Sequence, residues 1–423
     1  MRIVGFVEGA TANKGGVGLF GVPGNLCGAG ARGHNVVLVV GGPAIMGREH
    51  LLAPDMKSAL RRKEGSGTFG MVTFPSTEQW AFSPSILWRT SRYVRDADFV
   101  SLHSLYSFPV LAGYLLARWH KKPYAFWPHG VLAAFQTTVS AGKKSLYDRL
   151  IARHILKHAS IVVYTSRAER EEAQQANVVI AGRRDGDPAE MRRRSVIVPD
   201  GFDPTDYFAL PPRGEFRKRF LDGYAGPLVL FLARLNAKKG LRVLAESMGE
   251  VIKQRPDVRL AIVGPADPPA FEAQVRGWLR ENGLEDKAVL TGRVDQATKL
   301  QAYADSDIYV LPSEAENFGF SVFEAMASRV PVVVSSNLDY APEISATMAG
   351  FAVERDSHKF AEKILGLVDH PEIRRTMGDN GAVMAQRYSV EETARKLECT
   401  IDCILHNRPL PADVVLDFQL QPA

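Results

Sequence analysis

The chain has 423 residues, of which 46% are hydrophobic and 23% are charged, and its formal net charge is +5. This length is too great for a single hydrophobic core, so two domains are expected. The charge is modest, and no recognisable nucleic-acid-binding module accompanies it, which argues against nucleic acid as a partner.

The hydrophobic pattern predicts neither a membrane span nor a cleavable signal. The longest apolar run, 108–117, contains a glycine and is shorter than the roughly 18–20 residues that cross a bilayer. Met1-Arg2-Ile3-Val4 passes directly into a predicted strand. Cys27, Cys399 and Cys403 have no disulfide or metal spacing, so a reducing cytoplasm is the simplest setting.

Short apolar runs alternate with helical patterns along the chain, which predicts an α/β protein with two doubly wound sheets. The strands predicted for the first sheet are 3–7, 35–40, 99–103, 124–127, 161–165 and 196–198. Those predicted for the second are 228–232, 259–263, 288–291, 308–311 and 332–335. Prolines between 202 and 219 mark the break. We therefore expect a first domain at 1–205, a second at 206–385, a C-terminal helix at 386–408 and a loose tail at 409–423.

Glycines and a histidine follow two strands of the first half. Gly15 and Gly16 come after the first strand, where glycine lets a ligand approach the backbone. The next helix contains Pro23 and several glycines, so we expect it to be kinked or to start late. His129 follows the strand 124–127, and His103 ends the neighbouring strand; a histidine at a strand end is often only structural.

A basic region and three Asp-x-Asp triplets have ordinary explanations as well as functional ones. The basic residues between Lys143 and Arg194 fit a solvated face, or contact with anionic lipid or a phosphate-bearing acceptor. The triplets 96–98, 185–187 and 305–307 precede strands or lie in an insertion. We therefore expect no metal site at any of them.

In the second half, two cations follow the strand that ends at Leu232. Arg234 and Lys239 lie in the segment ARLNAKKG, which leads through Gly240 into a helix. Guanidinium and ammonium groups at a strand's carboxyl end suit a diphosphate, although surface charge explains the same pattern.

Two acids surround the start of a later helix. Glu316 lies in the loop after the strand 308–311, and Glu324 lies one turn into the helix that begins near Phe320. Ligands of open α/β sheets bind at the carboxyl ends of the strands, where Glu316 lies. Helical side chains lean toward the helix N-terminus, which brings Glu324 toward the same place. The amides of Phe320, Ser321 and Val322 would form an anion site there. Taken alone, such acids are usually caps or solvated charges.

The block PSEAENFGFSVFEAMA, with its two acids eight residues apart, resembles the signature of retaining nucleotide-sugar glycosyltransferases of the GT-B fold, family four. The resemblance extends from Met1 to about Arg408. It implies two Rossmann-like domains that face a central cleft, with the last helix crossing back onto the first domain.

The resemblance also assigns roles to residues. It implies that Arg234 and Lys239 bind the donor phosphates, that Glu324 binds the ribose and that His129 contacts the donor sugar. Glu316 would hold sugar hydroxyls together with the backbone of Asn317, Phe318 and Gly319. Backbone contacts to the donor are further implied for Gly15 and Gly16, for Phe320, Ser321 and Val322, and for Arg293 and Val294 at the nucleobase.

The implied reaction transfers a hexose from a UDP- or GDP-sugar to a lipid-linked or oligosaccharide acceptor, with retention and without a metal or other cofactor. The segments 144–147 and 164–171 resemble enzymes of exopolysaccharide and lipopolysaccharide assembly. We therefore expect a cytoplasmic enzyme, with peripheral contact to the anionic inner face of the plasma membrane as a further expectation.

The chain departs from the family pattern at three places, which involve four residues. Arg329 replaces a glycine at an expected left-handed helix cap, Asp339-Tyr340 replace Gly-Gly, and Asp200 replaces an asparagine. Two other functions stay open: a nucleotide-sugar epimerase of the same architecture, and a non-catalytic sugar-nucleotide-binding or scaffold protein.

Overall fold

The structure is a computed structural model that describes residues 1–8, 22–42, 67–77, 80–129, 131–132, 147–167, 169–173, 195–316, 318–411 and 414. The predictions made for Gly15, Gly16 and Asn317, for the triplet 185–187 and for most of the tail lie outside these residues. The described residues divide into two compact units. The first unit contains those within 1–202 and from Val390 onward, and the second contains those within 203–389.

The first unit contains a seven-stranded parallel sheet with the order β3-β2-β1-β4-β5-β6-β7. Its strands are β1 (Arg2–Glu8), β2 (Asn35–Gly42), β3 (Thr68–Pro75), β4 (Phe99–His103), β5 (Tyr124–Trp127), β6 (Ile161–Tyr164) and β7 (Ser195–Ile197). The helices that precede β6 in the chain are α1 (Val22–Ala31), α2 (Ser85–Asp96), α3 (Phe108–Trp119) and α4 (Arg153–His158). α4 follows a π-helical turn at Asp148–Ala152.

The second unit contains a six-stranded parallel sheet with the order β10-β9-β8-β11-β12-β13. Its strands are β8 (Leu228–Leu232), β9 (Arg259–Val263), β10 (Ala288–Gly292), β11 (Ile308–Leu311), β12 (Val332–Ser335) and β13 (Gly350–Val353). Its helices are α5 (Thr205–Phe208), α6 (Glu215–Phe220), α7 (Leu241–Gln254), α8 (Phe271–Glu281), α9 (Gln296–Asp305), α10 (Phe320–Ala327), α11 (Ala341–Ala346), α12 (Ser357–Asp369) and α13 (Pro371–Gln386).

The last long helix, α14 (Val390–Leu405), belongs to the first unit, where it packs against α1. A Cβ at Gly28 would lie 2.7 Å from Val390 Cγ1 and 3.1 Å from the Val390 carbonyl oxygen. Glycine at this position therefore permits the close approach of the two helices, which explains a residue that otherwise disfavours a helix. Leu397 and Ile401 of α14 join the apolar core of the first unit.

Each sheet has a switch point at which its strand order reverses, β1/β4 in the first unit and β8/β11 in the second. The carboxyl ends of the strands beside such a point are the usual ligand sites of open α/β sheets. The residues that end these strands are Glu8 and His103 in the first unit and Leu232 and Leu311 in the second.

The sequence pattern predicts neither β3 nor β13, and both lie at sheet edges. β3 carries Gly70 and Pro75 and is largely solvent-facing, and β13 has only four residues. Edge strands tolerate such residues because one side of the strand forms no ladder hydrogen bonds.

The triplet at 305–307 has a structural role. Asp305 accepts hydrogen bonds from the amides of Gly214 (2.5 Å) and Arg217 (2.9 Å), and Asp307 pairs with the Arg217 guanidinium (2.9 Å). The described residues contain no group of His, Cys, Asp or Glu side chains that could hold a metal ion. None of the described helices is long and apolar enough to span a bilayer.

Candidate active site

The loops that follow β8 and β11 are joined at the switch point of the second unit. The amide of Glu314 donates to the Lys238 carbonyl at 2.7 Å, and the Ser313 hydroxyl donates to the same oxygen at 3.1 Å. Gly240 has φ +68°, and a Cβ there would lie 1.9 Å from the Pro312 carbonyl oxygen. Only glycine fits, so the sequence holds these loops in contact.

This contact brings together Lys239 and Glu316. Lys239 Nζ lies 2.6 Å from Glu316 Oε1 and 2.7 Å from Oε2, and the two side chains are 16% and 9% exposed. A nearly buried charge pair of this kind is electrostatically strong and depends on both partners. The two residues assigned to different parts of a donor are therefore direct neighbours.

Arg234 lies in the same loop but has a different environment. Its Nη1 donates to Asp267 Oδ2 at 2.8 Å, and both side chains are about half exposed. Exposed pairs of this kind contribute little stability. Arg234 can therefore exchange its partner for a bound anion at low cost.

The start of α10 follows a glycine in the left-handed region, which glycine adopts without strain. Gly319 has φ +72°, and Ser321 Oγ lies 2.7 Å from the Tyr309 hydroxyl. The Val322 amide donates to the Gly319 carbonyl at 2.9 Å. The prediction that Val322 offers a free amide is therefore wrong, because the first turn already uses it. The Phe318 side chain is buried and stacks on Phe323, with ring centroids 4.5 Å apart, so only its backbone remains available to a ligand.

Glu324 is surrounded by three donors. Tyr207 Oη (2.7 Å) and Lys299 Nζ (2.9 Å) donate to Oε1, and Tyr303 Oη (2.9 Å) donates to Oε2. Burial alone would raise the pKa of Glu324, but the ion pair with Lys299 and these hydrogen bonds lower it below its ordinary value. Glu324 is therefore an ionised, oriented acceptor.

Sequence reasoning missed the three partners of Glu324. Lys299 and Tyr303 are four residues apart on α9 and therefore lie on one face of that helix, which is the signal that could have found them. Tyr207 lies in the short helix α5 beyond the domain break, where no spacing rule applies.

Tyr340, one of the departures from the family pattern, packs over the start of α10. A Cβ at Gly319 would lie 2.1 Å from Tyr340 Oη. The Tyr340 hydroxyl is buried and has no hydrogen-bond partner among the described residues. Burial, followed by the nearby charge of Glu316, raises the pKa of Tyr340 well above its ordinary value, so the hydroxyl stays protonated.

The other two departures preserve local geometry. Arg329 has φ +57°, so the left-handed cap is kept at a cost of about 1 kcal/mol, and its side chain pairs with Asp379. Asp200 is buried beside Asn25, whose Nδ2 donates to Oδ1 at 3.3 Å. Burial and then the nearby Glu169 raise the pKa of Asp200 to about 7. A protonated carboxyl can both donate and accept, as the asparagine amide does.

Arg293 and Val294 follow β10 at the edge of the sheet. Arg293 is exposed, and the preceding Gly292 has φ +67° and accepts a hydrogen bond from the Gly264 amide at 3.0 Å. The turn is therefore anchored to the end of β9. Its backbone lies at the carboxyl edge, as the predicted base contact requires, but β9 and β8 lie between it and β11.

In the first unit, His129 and His103 form a hydrogen-bonded pair at the carboxyl edge. His103 Nδ1 lies 3.1 Å from His129 Nε2, and His103 Nε2 lies 2.8 Å from Ser101 Oγ. The rings are stacked, with centroids 5.4 Å apart. Burial lowers the pKa of His129 to about 4, and burial and then His129 lower that of His103, so both imidazoles are neutral at pH 7.

Two neutral imidazoles that share one hydrogen bond have coupled tautomers. When His103 donates, His129 carries its proton on Nδ1; when His129 donates, Nδ1 is an acceptor. His129 Nδ1 is buried without a partner among the described residues, and His129 has φ +51°. His129 Nδ1 can therefore donate a hydrogen bond to another molecule or accept one from it, according to the tautomer of the pair.

Comparisons with known proteins agree with this architecture. Residues 226–370 match the family model described as "Glycosyl transferases group 1", and residues 25–184 match "Glycosyl transferase 4-like domain". Alpha-D-kanosaminyltransferase of Streptomyces kanamyceticus is 28% identical over 58% of this chain and 61% of its own length. Mannosylfructose-phosphate synthase of Agrobacterium fabrum is 33% identical over 34% of this chain and 33% of its own length. The chain thus spans less than two thirds of the length of either relative.

Among solved structures, that of Anabaena Alr3699/HepE in complex with UDP and glucose has a TM-score of 0.68 at 18% identity. The match covers 95% of this chain and 99% of the Anabaena chain. At this identity the likeness supports the fold, while the two family models carry the family assignment. The chain belongs to the group 1 glycosyl transferases, and it has the GT-B fold.

Proposed function

We propose that the protein transfers a sugar from a nucleoside diphosphate sugar to a glycan or lipid-linked glycan acceptor, with retention of the anomeric configuration. The observation that carries this proposal is the meeting of Lys239 and Glu316 at the switch point of the second sheet, beside the start of α10. A cation, a carboxylate and a helix N-terminus there can bind a phosphate and a hydroxyl-rich group side by side.

In this proposal the donor diphosphate binds Arg234, Lys239 and the start of α10. Lys239 keeps its bond to Glu316, so the ammonium bridges the carboxylate and a phosphate oxygen. Glu316 then accepts hydrogen bonds from hydroxyls of the transferred sugar. Glu324, held by Lys299 and two tyrosines, keeps acceptor capacity for ribose hydroxyls, because two carboxylate oxygens offer about four acceptor sites.

The two cations also serve the reaction. As the bond to the transferred sugar breaks, negative charge develops on the departing diphosphate, and groups already oriented toward it stabilise that charge without reorganising. We propose that Arg234 and Lys239 perform this role without a metal ion. His129 contacts the donor sugar, and a phosphate oxygen of the donor accepts the proton of the acceptor.

The transferred sugar is proposed to be a hexose from a UDP- or GDP-sugar, used at the cytoplasmic face of the plasma membrane in polysaccharide assembly. The Anabaena structure supports UDP as the first nucleotide to test, because it was solved with UDP and glucose.

The His103–His129 pair favours one second candidate, a nucleotide-sugar epimerase, because neutral imidazoles can exchange protons with a sugar carbon or oxygen. Such an enzyme would isomerise the donor without an acceptor.

The test is incubation with radiolabelled UDP- and GDP-sugars and a membrane extract. We expect label in lipid or glycan from one donor, and less label with Glu316→Ala than with Arg242→Ala, an exposed control on α7. An isomerised donor without transfer supports the epimerase, and tight nucleotide binding without any turnover supports the scaffold. Either result overturns the proposal.

A further inference from the structure

The outer surface of α2 and α3 exposes large apolar side chains. Trp88 on α2 is 67% exposed, and Trp119 and Leu115 on α3 are 82% and 46% exposed. Soluble proteins bury most of their tryptophan, so two such residues on one surface indicate a contact with something outside the chain.

The helices lie side by side, so these residues share one surface. Ser91 Oγ of α2 lies 2.9 Å from His120 Nε2, directly after Trp119. On α2, Ile86, Thr90 and Val94 face the core, which leaves Trp88, Arg92 and Arg95 outward. On α3, Ala112 and Leu116 are buried, and Leu115, Arg118 and Trp119 are exposed.

The same surface is cationic. We define the α2–α3 face as the exposed residues Trp88, Arg89, Arg92, Arg95, Leu115, Arg118, Trp119 and Lys121. Between Trp80 and Leu132 the sequence has two acids, Asp96 and Asp98. Asp96 pairs with Arg95 at 3.1 Å, and Asp98 accepts the Arg2 amide at 2.7 Å. The acids are thus engaged locally, and the cations dominate the face.

We propose that the α2–α3 face binds the surface of an anionic lipid bilayer. Tryptophan is enriched at the level of the lipid headgroups, and Arg and Lys are attracted to anionic lipid. Charge complementarity excludes a second copy of the same face, because like charges would oppose each other. The tryptophans between the arginines favour a bilayer over nucleic acid, because tryptophan rings and arginine side chains can be immersed together among anionic lipid headgroups. This inference rests on the proposed function, because a lipid-linked acceptor would lie at the bilayer that the face binds.

The experiment measures binding of the purified chain to vesicles of phosphatidylcholine alone and of phosphatidylcholine with 30% phosphatidylglycerol. We expect binding only to the anionic vesicles, weakening as salt rises, and a blue shift of tryptophan fluorescence. Trp88→Ala/Trp119→Ala should abolish the shift. Arg89→Gln/Arg92→Gln/Arg118→Gln should weaken binding about a hundredfold, at roughly fivefold for each cation removed.

A matched control removes three exposed arginines of the second unit, Arg242→Gln/Arg276→Gln/Arg280→Gln. We expect this control to bind vesicles like the wild type. If both triple variants lost vesicle binding equally, net charge alone would explain the binding. That result would refute the assignment of binding to the α2–α3 face. Two results would refute the proposal that the α2–α3 face binds a bilayer. One is binding of the wild type to a DNA oligomer but not to vesicles. The other is concentration-dependent dimerisation that Trp119→Ala abolishes.

UDP binding by thermal shift, measured on every variant, separates the two proposals and checks folding. Vesicle binding that is lost while UDP binding stays intact concerns the face alone. Vesicle binding that persists in a chain that binds no sugar nucleotide would contradict the proposed donor site and leave the face standing.

Discussion

Lys239 Nζ lies within 2.7 Å of both carboxylate oxygens of Glu316, and neither side chain is more than 16% exposed. The pair therefore compensates its own charge before any donor arrives. A phosphate that binds Lys239 adds a negative group beside Glu316, and hydroxyls of the attached sugar can in turn donate to that carboxylate. Under the proposed function, the pair would therefore link recognition of the diphosphate to recognition of the sugar.

Breaking this pair should show strong coupling. Glu316→Gln and Lys239→Met should each destabilise the protein by about 3 kcal/mol, because each leaves one nearly buried charge without its partner. The double variant should be more stable than the sum of the two single losses predicts. Urea unfolding of the three variants measures this. Strictly additive losses would contradict the coupling, and Arg242→Gln is the exposed control.

Glu324→Gln should weaken nucleotide binding more than it slows transfer from bound donor, whereas Glu316→Ala should mainly slow transfer. The pKa of Glu324 is lowered from 4.5, so its ionised form stabilises the fold above that pH and loses this contribution as pH falls through the lower folded pKa. Calorimetry and unfolding between pH 3 and 7 test both parts. Full activity in both variants would remove the assignment.

His103→Gln should reduce transfer by changing the orientation of His129. Loss of the hydrogen bond between the two rings, about 1–1.5 kcal/mol, predicts a fall in kcat/KM of roughly tenfold. Because His103 acts through His129, nitrogen NMR should also report a changed tautomer for His129. His120→Gln, which alters a histidine bound to Ser91 on the outer helices, is the control. An unchanged tautomer with unchanged kcat/KM would show that His103 is only structural.

Asp200→Asn should stabilise the protein at neutral and alkaline pH. The pKa of buried Asp200 is raised from 3.8 to about 7, so folding favours the protonated form. The stability of the wild type from this group is complete below pH 3.8 and falls as pH rises through 7. Asparagine keeps the donor and acceptor without this penalty. Thermal unfolding at pH 5 and pH 8 should show a larger gain for the variant at pH 8; equal gains would contradict the raised pKa.

Gly319 and Tyr340 should be energetically coupled. Gly319→Ala places a methyl group 2.1 Å from Tyr340 Oη at a backbone φ of +72°, so we expect a loss of more than about 1 kcal/mol. Tyr340→Phe alone should be neutral or stabilising, because it removes a buried hydroxyl that lacks a partner. In the double variant Tyr340→Phe should recover part of the loss. No recovery would mean that the strained backbone alone sets the cost.

The sequence predicted those parts of the fold that are encoded by local patterns. Continuous apolar runs identified the central strands, because helices cover both faces of each sheet and bury the side chains of these strands on both sides. The edge strands β3 and β13 lack that pattern. The cations after β8 and the acids after β11 were predicted to share one edge of the second sheet, because strand ends meet there, and Lys239 and Glu316 are indeed neighbours. Their detailed contacts were beyond reach. Lys239 meets Glu316 across 77 positions, and Tyr207 meets Glu324 across 117, so only the folded chain brings them together.

The packing of α14 against α1 sets the order in which the chain can mature on the ribosome. Leu397 and Ile401 complete the core around β1 and β2, yet they are synthesised after the whole second unit. The nascent first unit keeps an open apolar surface until α14 has emerged, whereas the second unit can close as soon as Ser389 has emerged. A premature stop before Val390 would therefore leave the N-terminal half exposed to chaperones and proteases even though every one of its strands had been made.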